Sequence, residues 1–125
     1  MASELRVNTL KDASGNNSVA TSVVFGGTAK VWINFNGTGT IATRDSYNVT
    51  SITDQGVGLT DITIANDMGN ADYAPSGVCG ETAGTEVWEI TSRAAGVLRI
   101  QTYKADTGAA LDATVNSVTI HGDLA

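Results

Sequence analysis

Cysteine, histidine and proline each occur once in the 125 residues, as Cys79, His121 and Pro75. A single cysteine excludes an intrachain disulfide, a thiolate zinc site and a haem-attachment motif. A single histidine, four residues from the last position, is a poor basis for a hydrolytic triad, and no Gly-x-Ser-x-Gly segment supplies a nucleophile. Basic residues are scarce too: seven Lys plus Arg stand against 13 Asp plus Glu, a net charge of -6. An acidic chain without a basic cluster repels phosphate backbones, so no nucleic-acid partner is expected. No apolar run reaches the ~20 residues that span a bilayer, so no membrane insertion is expected. Met1 to Glu4 is neither basic nor followed by an apolar block, so no secretory signal is read here.

What the chain has in quantity is Thr, 17 residues, and Thr, Val and Ile together number 37. Gly, Ser, Thr and Asn together reach 49. That mixture is too β-branched for a helical bundle and too apolar for disorder. Short alternating runs recur at intervals of roughly ten residues, the signature of a sandwich or barrel. The plainest is Ala29 to Asn36, where Val31, Ile33 and Phe35 share one face. Asn36-Gly37-Thr38-Gly39 turns the chain into Thr40 to Arg44. Tyr47 to Thr53 reads as one strand with Tyr47 and Val49 on the same face. Leu59 to Ala65 follows, with Ile62 and Ile64 in phase and Leu59 out of phase, which places a twist or bulge near Thr60. Glu86 to Ser92, Val97 to Tyr103 and Thr114 to His121 complete the set. Asn66 to Thr85 reads as a long loop with room for a short strand around Tyr73 to Val78.

Upstream, Leu5 to Leu10 and Ser18 to Phe25 read as short strands around an Asp12 to Asn17 turn. They carry too little apolar surface to fold alone. The expected organisation is therefore an N-terminal arm or docking segment at 1–25 and an all-β domain at 26–125, an antiparallel β-sandwich or jelly-roll-like fold. Its expected core is Val31, Ile33, Phe35, Ile62, Ile64, Trp88, Ile90, Leu98, Ile100, Val118 and Ile120. Trp32 falls on the polar face of its strand. With Leu5, Val7 and Leu10 it forms the candidate interface set.

Chemistry-bearing patterns are sparse. Cys79 has no basic neighbour in sequence to activate it. Glu86 and Glu89 fall on opposite strand faces, which does not suit paired-carboxylate catalysis, and Glu81 stands nearby in the loop. Asp54, Asp61, Asp67 and Asp72 lack the spacing of an EF-hand. The Asn-x-Ser/Thr triplets at Asn16, Asn36 and Asn48 are expected from composition alone. No catalytic residue, metal or cofactor is assigned, and the chain is not expected to be an enzyme. Tyr73, Trp88 and Tyr103 remain as candidate ligand-contacting aromatics, should they gather in one exposed groove.

The opening Ser3-Glu4-Leu5-Arg6-Val7-Asn8-Thr9-Leu10-Lys11-Asp12-Ala13-Ser14-Gly15-Asn16-Asn17 resembles a segment at the start of tail-fibre-like and other small virion proteins of marine tailed bacteriophages. Ala29 to Gly39, Arg44 to Val49 and Ile52-Thr53-Asp54 are similar to the same group, so the likeness runs over about residues 3 to 75. The resemblance implies a structural protein of the virion tail, with an N-terminal segment docked on the particle and an exposed, trimeric β domain. It implies self-association and other virion proteins as partners, with contact to a host glycan or protein. It carries no catalytic residues. Two neighbouring roles fit the same composition: a carbohydrate-binding sandwich for host recognition, and a capsid decoration protein.

Overall fold

The computed structural model describes residues 2–80 and 85–125. Ten strands and one short helix alternate along it. The arm contributes β1 (Thr9–Lys11), β2 (Ser18–Ala20) and α1 (Thr21–Gly27). The rest is β3 (Val31–Asn36), β4 (Ala42–Tyr47), β5 (Val49–Gly56), β6 (Leu59–Ile64), β7 (Ala74–Gly80), β8 (Glu86–Ala94), β9 (Val97–Lys104) and β10 (Val115–His121). These eight form two four-stranded sheets, ordered β4-β3-β10-β7 and β5-β6-β9-β8, with every neighbouring pair antiparallel. The fold is an all-β sandwich with three hairpins, β3–β4, β5–β6 and β8–β9.

The period-two pattern determines which side chains meet between the sheets. Val31, Ile33 and Phe35 point inward from β3, and Val118 and Ile120 from β10; Ile62 and Ile64 answer from β6, and Leu98 and Ile100 from β9. All nine are buried, as expected from their phase. Met68 and Tyr73, from the connection before β7, join them. Two expected core members differ. Trp88 is only partly buried, though it packs against the core, and Ile90 is 38% exposed. Both lie on β8, an edge strand. Across from it, β7 turns Pro75, Gly77 and Cys79 inward beside Ile120, Val118 and Asn116. On β8 the register with β9 shifts between Ile90 and Ser92, just where Ile90 is partly in water.

The expected Tyr47 to Thr53 strand is two strands in two sheets. The break is Asn48, the one described non-glycine residue with positive φ, at 58°. Its short amide makes this conformation tolerable by bonding locally. Asn48 Nδ2 donates to the carbonyls of Lys30 and Asn66, each at 3.1 Å. Its Oδ1 accepts from the Asn66 backbone N–H at 2.8 Å and from Asn66 Nδ2 at 2.9 Å. Tyr47 therefore ends on the outer face of the first sheet, while Val49 packs on the core. The bulge expected near Thr60 lies on the partner strand, between Asp54 and Gly56. The long loop does contain a strand, β7, running from Ala74 to Gly80.

In the arm, the two expected strands shrink to three residues each, paired Thr9 to Ala20, Leu10 to Val19 and Lys11 to Ser18. The turn between them is tied by Asp12, whose carboxylate accepts from Ser14 Oγ and the Asn16 N–H at 3.0 Å and from Asn17 Nδ2 at 2.7 Å. Asn17's amide is the main reason the Asp12 carboxyl sits below the usual aspartate range. Thr21 to Phe25 is helix, contrary to the strand expected from its β-branched residues. The last ladder contact, from the Thr21 N–H to the Asn8 carbonyl, exhausts the partner strand. The chain then closes its own bonds and ends α1 with the Thr28 N–H on the Val24 carbonyl at 3.1 Å. The helix α1 runs to Gly27.

Candidate binding surface

The outer face of the first sheet carries an open concavity of about 400 Å³. Antiparallel register fixes which side chains share this outer face, because directly paired residues point the same way. One row runs Tyr47, Trp32, Thr119, Ser76; the next runs Asp45, Asn34, Ser117, Val78. Trp32 is 37% exposed, Tyr47 58% and Val78 62%. An aromatic pair thus stands at one side and an exposed valine at the other.

The polar members hold one another in place. Asn34 Nδ2 donates to Ser117 Oγ at 2.7 Å. Arg44 Nη1 donates to Asn34 Oδ1 at 3.2 Å, and its Nη2 to the Thr114 carbonyl at 2.7 Å. Arg44 reaches there because the β3–β4 register shifts between Asn34 and Phe35, which leaves it as the extra residue of a bulge. Ser76 Oγ and Thr119 Oγ1 are 2.8 Å apart. With these groups paired, the remaining contact surface of the cleft is chiefly Trp32, Val78 and backbone. Gly77 brings β7 close: a Cβ there would strike the Ser117 carbonyl.

The three aromatics proposed as ligand contacts are not brought together. Tyr73 is 4% exposed, and its hydroxyl lies 3.1 Å from the Ala94 carbonyl and 3.2 Å from that of Val97. Burial raises its pKa against the opposing pull of Arg93. Tyr73 is therefore a core residue with a satisfied polar tip, a correction to its expected role. Trp88 pairs with buried Thr102 on the inner face, and Tyr103 lies on the outer face of the same sheet, opposite Val87. The four candidate interface residues are all accessible: Leu5, Val7, Leu10 and Trp32. Tyr47, Val78, Val23 and Phe25 were not singled out from sequence. Val23 and Phe25 were hidden by the strand reading of 18–25, and Tyr47 by the unrecognised corner at Asn48.

Other reactive groups are occupied elsewhere. Burial, and then the Glu86 charge, push the Cys79 thiol up, so it stays protonated. Asp61 on the outer face of the second sheet accepts from Arg99 Nε at 2.5 Å and Nη2 at 2.7 Å, and from Gln55 at 2.9 Å. The Arg99 hydrogen bond holds its carboxyl below the usual range despite partial burial. Glu81 lies outside the described residues. Among the described residues no three His, Cys, Asp or Glu side chains are grouped to hold a metal ion. No described helix is long and apolar enough to cross a membrane. No family model, curated protein or solved structure matches the chain.

Proposed function

We propose that this chain is a structural protein of a tailed-bacteriophage virion, a fibre-like tail component that assembles as a homotrimer and is presented toward the host surface. The observation that carries the reading is the state of the arm. None of residues 2–30 is buried, yet Leu5, Val7, Leu10, Val23 and Phe25 are all exposed there. Large apolar groups left in water by their own chain favour a partner. A folded sandwich carrying such an arm suits a building block better than a free-standing binding module. The role needs no catalytic group, metal or cofactor.

The glycan-binding alternative draws less support, because Tyr73, Trp88 and Tyr103 do not line a common groove. The decoration-protein alternative predicts the same trimer at a different place. Proteomic detection of the chain in purified particles, with immunogold labelling, tests the reading. Label at the tail is the expected result. Label on the capsid lattice would favour decoration, and absence from the particle would overturn the virion role.

A further inference from the structure

We propose that Asn36-Gly37 is a site of spontaneous deamidation that the folded sandwich holds closed, and that opens when the end of β3 separates from the segment before β10. The inference stands apart from the virion reading. Asn36 is the only asparagine of the chain followed by glycine. Glycine has no Cβ, so in an open chain nothing on residue 37 hinders its nitrogen from reaching the Asn36 amide.

The reaction is internal, with water as its only co-reactant. The Gly37 nitrogen gives its proton to water and attacks Asn36 Cγ. The new N–C bond closes a five-membered succinimide, and Nδ2 leaves as ammonia. Water then adds to one of the two ring carbonyls and opens the ring to aspartate or isoaspartate. In sum, water is consumed, ammonia is released and the chain gains a negative charge.

Both reacting groups are pinned in the fold. The Gly37 N–H donates to the Ala113 carbonyl at 2.9 Å. The same carbonyl accepts from Asn116 Nδ2 at 3.0 Å. Gly37, Ala113 and Asn116 are all buried. On the other side, Asn36 Nδ2 donates to the Thr38 carbonyl at 2.8 Å. Asn36 Oδ1 accepts from Thr38 Oγ1 at 2.8 Å and from the Thr38 N–H at 3.3 Å. The nitrogen must leave Ala113, and the amide must leave Thr38, before Cγ can be attacked. Buried main-chain groups keep their partners except through local opening, so the rate follows the population of the open form.

The packing also accounts for so labile a pair at this turn. A Cβ on residue 37 would lie 2.8 Å from the Ala113 carbonyl oxygen and 3.0 Å from Asn116 Nδ2, so glycine fits there. Asn36 answers Thr38 with a donor and an acceptor together. An aspartate at 36 would set an oxygen against the Thr38 carbonyl in place of the donating amide. An isoaspartate would add a methylene to the backbone beside Ala113. A chain modified while open therefore refolds to a weaker turn.

The full-length chain, incubated at mildly alkaline pH with and without guanidinium, tests this. Mass spectrometry of the tryptic peptide between Lys30 and Arg44 reads the exchange of NH2 for OH at Asn36, and an isoaspartyl methyltransferase reads the isoaspartate. Modification of Asn36 should be about tenfold or more faster in guanidinium than in the native chain. Hydrogen exchange of the Gly37 N–H, followed by NMR in the native chain, should be slowed about tenfold or more against the unfolded one. Equal modification rates in the two conditions would overturn the guard, as would a Gly37 N–H that exchanges at the unfolded rate. An Asn36 that stays intact in guanidinium would overturn the site itself.

Discussion

Phe25 and Phe35 are the two phenylalanines of the chain, ten residues apart, and they have opposite surroundings. Phe35 is 1% exposed at the centre of the sandwich, between Ile33 and the residues of β10. Phe25 stands on α1 with its ring in water. The sandwich covers the apolar residues of its inner faces, because eight strands supply two faces that pack on each other. The arm has one hairpin of three-residue strands and one short helix, and nothing of its own to cover them. The same residue type is thus a core member in one region and left exposed to water in the other.

Phe35→Ala should break the sandwich side of this comparison, costing about 3–5 kcal/mol in chemical denaturation. Phe25→Ala in the monomeric state should cost within about 0.5 kcal/mol, the range for surface substitutions. Similar losses at both positions would remove the distinction. Next in size is Gly58→Ala. Gly58 has φ +68°, and a Cβ would strike the carbonyls of Thr102 and Leu111, so strain and collision add. A loss of about 2–3 kcal/mol is expected, confined to the sandwich. Asn48→Ala removes the amide that ties the corner to Lys30 and Asn66, and should cost about 2 kcal/mol. Asn48→Gly should recover only the backbone part of that loss, which separates conformation from hydrogen bonding.

The smallest effect is electrostatic. The Asp61 carboxyl titrates lower in the folded chain than its ordinary value of 3.8, chiefly through the Arg99 hydrogen bond. A depressed folded-state pKa stabilises the fold above the unfolded value and ceases to do so as pH falls through the folded one. The stability difference between wild type and Asp61→Asn should therefore be full near neutral pH and shrink progressively below 3.8. A difference that grows in acid would contradict the pairing. High salt should leave much of it in place, since Asp61 is largely covered.

The strands of the core were legible because burial on one face imposes strict alternation, as in Val31, Ile33 and Phe35. Edge and corner features were not. Ile90 keeps the phase of a core residue and is exposed on the edge strand β8, where the register with β9 shifts. Asn48 interrupts what reads as a continuous strand, and only its left-handed φ and its bonds to Lys30 and Asn66 reveal the corner. Trp32 was correctly set apart from the core, since it breaks the polar face of β3. Its neighbours Tyr47 and Val78 depend on strand order, β4-β3-β10-β7, which joins residues far apart in sequence. The helix at Thr21–Gly27 was missed because propensity favours a strand there, and a strand needs a pairing partner that β1 is too short to supply.

The central claim is that the arm exists for assembly, and the solution mass of the full-length chain tests it most directly. Light scattering across a concentration series should converge near 38 kDa, three copies of the 12.8 kDa subunit. A mass that remains at 12.8 kDa throughout would contradict it.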